Sequence, residues 1–342
     1  MPKGGSFLPA SAVIRYYQFG NPADVLQPVY KRIRMPGEGQ VLVRMTARPV
    51  NPSDLIPVRG AYPHRTPLPS VPGYEGVGTV EAIGPSVAPS LLGKRVLPLR
   101  GEGTWQERVI ASAGLAVPVP DSLDDDTASQ LYINPVTAWV ICTETLHLTD
   151  GDFLAVNACG SSIGRIFAQL SAVQGFRLIA ITRNARHTQA LQELGASHVI
   201  NTAEADAPSV REAILTITGG RGAAAAIDSV GGTEGEELAY CIRPGGTVLS
   251  IGLLSGIPVH WGKVSKEANT AAGLFWLRNW VHQTSVRKWH ETFGKVIELV
   301  EQKKLRFSGI SGRFDLAQVK EAVLAAESPG RQGKILLTSR VN

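Results

Sequence analysis

The chain has 342 residues, 44% hydrophobic and 18% charged, with a formal net charge of +5. A chain of this length buries a sizeable core and suggests two domains, and so small a charge excess with no dense basic block makes no demand for nucleic acid. The most hydrophobic stretch, Val248 to Val259, is cut by Gly252, Ser255 and Gly256, so no segment is expected to span a membrane. The N-terminus has neither an apolar signal core nor an arginine-rich leader and reaches strand-like sequence at Ala12 to Tyr16, which argues against export or import. Cys142, Cys159 and Cys241 lie far apart with no CxxC pair, which argues against a disulfide framework or a cysteine-built zinc site; a reducing, cytoplasmic setting is expected.

Residues 1 to about 120 are rich in proline and glycine, with short alternating strands such as that carrying Val41, Val43 and Met45. Within them Val50 to Gly84 is too polar and too punctuated to be plain core, as expected of a loop that carries a site. DSLDDDTASQ, from Asp121, opens a helix that LYINPVTAWV continues. From Phe153 strands and helices alternate: strand Phe153 to Asn157, turn Ala158 to Gly164, a helix marked by Ile163, Ile166, Phe167, Leu170 and Val173 up to Gly175, and strand Arg177 to Thr182. A helix closing at Leu191 and Leu194 follows, then strand His198 to Asn201 and a helix opened by the capping-box spacing of Ser209 and Glu212. Strands Ala224 to Asp228 and Thr247 to Gly252 complete an α/β pattern, predicting a doubly wound parallel sheet. Beyond about residue 265 come the aromatic segment LFWLRNW (Leu274 to Trp280), an amphipathic helix with Trp289, Phe293, Val296, Ile297 and Val300, a helix over Leu316 to Ala326 and a strand over Gly333 to Thr338. The aromatic segment reads as core or as site lining. The tail is expected to return to the first domain, giving residues 1–124 with 266–342 as a β-rich domain and 125–265 as the inserted nucleotide-binding domain.

Ala158 to Gly164 is where a helix N-terminus would meet a pyrophosphate, with Ser161, Ser162, Ile163 and Gly164 as candidate contacts. GxGxxG is not intact, since Cys159 and Ser161 stand where glycines would, and a plain strand-to-helix turn stays open. The next strand ends in Thr182-Arg183-Asn184. A carboxylate there would bond the ribose 2′-OH of NAD, whereas Arg183 suits a 2′-phosphate, so the cofactor read is NADPH, with Arg186 and His187 near enough to assist. Arg183 as a solvated surface cation is the alternative. Gly252 and Leu253, just past the last strand of the pattern, should face the cofactor.

The β-rich first domain, the inserted nucleotide-binding domain and the returning tail together resemble the medium-chain dehydrogenase/reductase superfamily over nearly the whole chain. The resemblance implies a Rossmann sheet plus a GroES-like catalytic domain. Zinc-bearing members carry a cysteine where NPSD has Asn51 and a histidine where GYEGVG has Tyr74, and an amide and a phenol make a poor zinc site; no metal is expected. NPSDLIPVRGAY (Asn51 to Tyr62), the turn NACGSSIG, NPVTAW (Asn134 to Trp139) and FWLRNW resemble 2-enoyl thioester reductases of the mitochondrial fatty-acid-synthesis type. PGYEGV, with Tyr74, is closer to the quinone-reductase branch.

This resemblance implies Tyr62 as the catalytic tyrosine, Asn51 and Thr137 as groups that position nicotinamide or polarise substrate, and Phe275 and Trp276, with Tyr74, as substrate-pocket residues; the alternatives are a structural tyrosine in a Gly/Pro-rich loop for Tyr62 and a plain turn cap for Asn51 or Thr137. It matches Lys334 to a lysine near the cofactor phosphate, with a surface cation as the alternative; Glu75 reads as an internal partner. The implied activity is NADPH-dependent, metal-free reduction of an activated C=C in a small-molecule or acyl-thioester substrate. The alternatives are an NADPH:quinone oxidoreductase and a non-catalytic NADPH-binding or RNA-binding protein. A homodimer paired through Thr247 to Val259 at the edge of the nucleotide sheet is expected, with no nucleic-acid or membrane partner.

Overall fold

A computed structural model describes residues 7–204, 208–268 and 270–339. The chain forms two units, Met1–Ile133 with Ser285–Glu301 and Phe307–Asn342, and Asn134–Thr284 with Gln302–Arg306. Both domain boundaries therefore move from the expected 124/125 and 265/266. Residues 125–133 belong with the first unit, where Asp125 pairs with Arg95 at 2.6 Å and the N–H groups of Tyr132 and Ile133 donate to the Glu75 carboxylate. Residues 266–284 belong with the second, because Ala271–Leu274 is a strand of its sheet.

The second unit is built on a six-stranded sheet in the order Ala196–Asn201, Arg177–Thr182, Phe153–Val156, Ala223–Asp228, Ile242–Ser250, Ala271–Leu274. All neighbours are parallel. Numbered along the chain this is 3-2-1-4-5-6, the doubly wound order whose reversal lies between Phe153–Val156 and Ala223–Asp228. Arg177–Thr182 is buried in all but its first residue, as befits a strand covered on both faces. The helix Ser162–Gln174 starts at the N-cap Ser161 and stops at Gly175, whose φ of 85° lets its N–H return to Ser171 O. Ser209 and Glu212 form the expected capping box. The turn Arg243 to Gly246 is absorbed into Ile242–Ser250 as a register shift, and pairing resumes at Thr247.

Two expectations change here. Thr247 to Ser250 pairs on both sides, so the edge of the sheet is Ala271–Leu274. The aromatic segment that starts on this edge is not core: Leu274 is 54% and Trp276 41% exposed.

The first unit holds a seven-stranded sheet in which Lys334–Thr338 lies between Ile310–Asp315, parallel, and Gln40–Pro49, antiparallel. Residues Ser285–Glu301 and those from Phe307 thus return to the first unit, while the stretch up to Thr284 and Gln302–Arg306 do not. Buried Arg48 fastens Lys334–Thr338, its guanidinium donating to the carbonyl oxygens of Thr104, Gln106 and Leu337 and to Ser339 Oγ. The helix Val286–Glu301 seats Trp289 and Phe293 against Tyr132, with Trp289 and Phe293 ring centroids 4.9 Å apart. Leu336 pairs with Pro49, and the same register carried two residues further sets Lys334 opposite Asn51. Among the described residues no helix is long and apolar enough to cross a membrane, and all three cysteines are free and buried.

Candidate functional site

In the second unit the strand Phe153–Val156 runs into the turn that opens the helix Ser162–Gln174. Ser161, in extended conformation, accepts the N–H of Gly164 on its hydroxyl at 3.3 Å, which caps the helix start. Gly164 is required by packing, since a β-carbon there would stand 2.5 Å from the Cα of Cys159. Glycine at 164 thus keeps its place while Cys159 replaces another glycine of the fingerprint at no structural cost. Its side chain is fully buried, Sγ lies 3.4 Å from Gly164 O, and burial pushes the thiol up to about 12, so it is an inert filler. Ser162 and Ile163 are partly buried in the first turn of the helix. With its first N–H groups and partial positive charge, this end of the helix fits the pyrophosphate of a dinucleotide.

Arg183 follows the end of Arg177–Thr182 and is exposed. At the same end of the sheet Asn157 and Asp228, which the sequence reading did not single out, tie three strand tips together. Asn157 Nδ2 donates to Asp228 Oδ1 at 2.7 Å, and Asn157 Oδ1 accepts Ser229 N–H at 2.7 Å. Asp228 also accepts from Val230 N, Gly231 N and Ser250 Oγ. A charged residue ending the apolar strand AAAAID was the available signal. Gly252 packs on Ser229, where a β-carbon would meet the carbonyl oxygen at 2.8 Å, and Leu253 beside it is 44% exposed. Thr137 is buried in the helix Ile133–Val140. Phe275 is held through its N–H on Ser250 O at 2.9 Å, and Trp276 caps the helix Leu277–Gln283.

The first unit carries a buried polar network that begins at Asn51, the N-cap of the short helix Pro52–Val58. Asn51 Nδ2 donates to Glu75 Oε1 at 2.7 Å and its Oδ1 accepts from the Lys334 ammonium. Glu75 Oε2 takes the N–H groups of Tyr132 at 3.2 Å and Ile133 at 2.8 Å. Asp54 accepts from Asn51 N at 2.8 Å and Tyr74 N at 3.1 Å. Burial pushes Asp54 up to about 7, resisted by the Asn51 N–H and aided by the charge of Glu75. Burial likewise raises Glu75 against the pull of Lys334, and lowers Lys334 against the carboxylates of Glu75 and Asp54.

Lys334 is therefore no surface cation: it is 3% exposed and held by Asn51. Asn51, 2% exposed, has both ends of its amide engaged, so it bridges a network where the resemblance implied a group facing the substrate. Glu75 is the internal partner the sequence suggested. Tyr62 is partly exposed, with the Arg65 guanidinium 3.7 Å from its ring centroid, and Tyr74 is 47% exposed while its backbone is tied to Asp54. Among the described residues no group of three or more His, Cys, Asp or Glu side chains is placed to hold a metal ion.

Two protein families match the chain. Residues 37–121 match the family described as Alcohol dehydrogenase GroES-like domain, and residues 162–302 the family described as Zinc-binding dehydrogenase. The mitochondrial enoyl-[acyl-carrier-protein] reductase of Bos taurus is 30% identical over 330 residues, covering 94% of this chain and 87% of its own. A solved structure from Bacillus thuringiensis, carrying the provisional name NADPH:quinone reductase, is 54% identical with a TM-score of 0.94 and covers 97% of this chain and 100% of its own. A mycobacterial protein solved in complex with NADPH is 26% identical with a TM-score of 0.85, over 96% of this chain and 99% of its own. Zinc figures in one of these family descriptions, but the donors here do not fit it: the Asn51 amide is taken up by a lysine and a glutamate, and Tyr74 offers only a phenol.

Proposed function

We infer that the chain, which belongs to the medium-chain dehydrogenase/reductase superfamily in its zinc-free part, reduces an activated carbon–carbon double bond with NADPH, on a trans-2-enoyl thioester or a related conjugated carbonyl. The observation that carries this reading is the segment Asn51 to Tyr62. Its first residue is sealed into a buried network, and its last, the position matched to the catalytic tyrosine, presents a partly exposed phenol. The family-level activity, NADPH-dependent oxidoreduction, is supported by the enoyl reductase and quinone reductase relatives together.

When bound, NADPH would supply the hydride that reaches the β-carbon of the substrate. Ser161 to Gly164 would hold the pyrophosphate, Arg183 the 2′-phosphate, and Gly252 and Leu253 the nicotinamide half, which Thr137 orients. The Tyr62 hydroxyl donates to the substrate carbonyl oxygen as charge gathers there, or passes a proton to the α-carbon directly or through water. Phe275 and Trp276 offer apolar surface to an acyl chain. Asn51 and Lys334 act from inside the first unit by holding the start of the helix Pro52–Val58, with no metal in the chemistry.

A second reading, NADPH:quinone reduction, is favoured by the 54% identity to the Bacillus thuringiensis protein and by Tyr74. Rates of NADPH oxidation with crotonyl-CoA, longer trans-2-enoyl-CoAs, benzoquinone and phenanthrenequinone separate the two by kcat/KM. Thioester turnover well above quinone turnover is the expected result; turnover of quinones alone establishes the second reading, and binding of NADPH without oxidation defeats both. Tyr62→Phe should lower kcat by about a hundredfold with little change in NADPH affinity, and full retained turnover would remove Tyr62 from the mechanism. We place the protein in the cytoplasm, where buried free thiols stay reduced. It would act as a homodimer paired through the edge strand Ala271–Leu274, which light scattering would disprove by a monomer mass.

A further inference from the structure

The imidazole of His187 is packed directly on the glycine turn. A β-carbon at Gly160 would stand 2.6 Å from His187 Cδ2 and 2.9 Å from Nε2, so any larger residue at 160 would displace the ring. His187 ends the short turn Ala185–His187, fastened by the N–H of Arg186 on Asn184 Oδ1 at 3.1 Å. Its Nε2 faces Arg186 Nε at 3.4 Å, and since the guanidinium can only donate, the contact suits a ring that accepts at Nε2.

The surroundings are cationic. Burial, then Arg186 on its own turn and Arg165 on the helix Ser162–Gln174, hold His187 below the ordinary imidazole value of 6.5. Arg183 stands exposed at the start of the same segment. Among the described residues none of Arg165, Arg183 and Arg186 pairs with a carboxylate. Positive groups gathered without acidic partners, beside a turn that offers N–H groups, form a receptor for a multiply charged anion.

We propose that His187 makes the preference for a 2′-phosphorylated dinucleotide depend on pH, taking up a proton from solvent when the phosphate dianion settles beside it. The inference rests on the NADPH reading above and adds to it a residue that sets specificity. In the free protein burial, and then the cations Arg186 and Arg165, disfavour the charged ring. A phosphate reverses the local field and favours imidazolium, so the bound-state pKa exceeds the free-state one. Affinity gained this way is fully present below the free-state pKa and lost as pH rises through the bound-state pKa. NADH brings no 2′-phosphate and gains nothing. The phosphate itself titrates near pH 6, and a neutral replacement of His187 leaves that contribution in place.

The test measures dissociation constants of NADPH and NADH between about pH 6 and pH 8 for the wild type and His187→Gln. Each unit by which the phosphate raises the pKa corresponds to about tenfold in affinity. The ratio of the NADH to the NADPH constant should therefore climb about three- to tenfold more steeply toward low pH in the wild type than in the variant. Parallel curves overturn the proposal while leaving the NADPH reading intact; no preference for NADPH at any pH defeats that reading, and this one with it. A measurement on the wild type alone guards against a variant that folds poorly. Calorimetry near pH 7 in two buffers of different ionisation enthalpy should show proton uptake with NADPH beyond that with NADH, and equal uptake overturns the proposal.

Discussion

Asp54, Glu75 and Lys334 lie buried in the first unit, joined through Asn51 and through backbone N–H groups, while in the second unit Arg183 and Arg186 stand exposed and Arg165 partly so, with no carboxylate partner among the described residues. The difference separates two uses of charge. Buried charges must satisfy one another, because the low-dielectric interior makes an unmatched one costly, and they hold backbone in place as a result. Charges left unpaired at a surface keep their attraction for a ligand that brings the opposite sign. The same residue type can thus be architecture in one unit and recognition in the other, and partners and burial decide which.

The comparison is broken most severely by removing Lys334 from the buried network. Lys334→Met leaves Asp54 and Glu75 buried together without a counter-charge, and breaking such a set costs about 3–5 kcal/mol. Denaturant unfolding of the wild type and the variant reads this directly, and a loss of less than about 1 kcal/mol would show that the network behaves like a surface pair. On the exposed side Arg183→Ala should leave stability unchanged and weaken NADPH by about 2–3 kcal/mol, about 30- to 150-fold, while sparing NADH. Equal losses for both dinucleotides would show that Arg183 does not read the 2′-phosphate.

A third test sharpens the comparison through pH. Asp54 titrates in the fold at about 7 against an ordinary value of 3.8. The folded state therefore holds a proton that the unfolded state has lost across this interval, and stability from this group falls as pH rises from about 4 to about 7. Asp54→Asn lacks that slope. The wild-type Tm minus the variant Tm should fall as pH rises through the interval, whereas a constant or rising value would mean that Asp54 ionises like a surface carboxylate.

Much of the fold was legible because its signals are local. Arg177 to Thr182 is a strand at the predicted residues, since five buried apolar or small residues in a row suit a position covered on both faces. Ser209 and Glu212 cap a helix by a spacing visible in the sequence. Other features carried no local signal. Ala271–Leu274 reads Ala-Ala-Gly-Leu, with no β-branched residue, and is a strand because Thr247 to Ser250 offers it a ladder. The helix Pro52–Val58 hides in a proline-rich loop and depends on the Asn51–Asp54 capping box.

By itself the sequence determined the alternation of strands and helices from Phe153, the capped turn that ends at Gly164, Arg183 in place of an acidic residue, and the superfamily, all of them properties of neighbours along the chain. Only the tertiary structure decided that Lys334 is interior, that Asn51 is locked at both ends, that His187 rests on Gly160 and that the aromatic segment is exposed. Lys334 and Asn51 are 283 residues apart and meet because the antiparallel register of Lys334–Thr338 on Gln40–Pro49 brings them opposite. Burial and charge pairing depend on such distant matches, which no local window of residues contains.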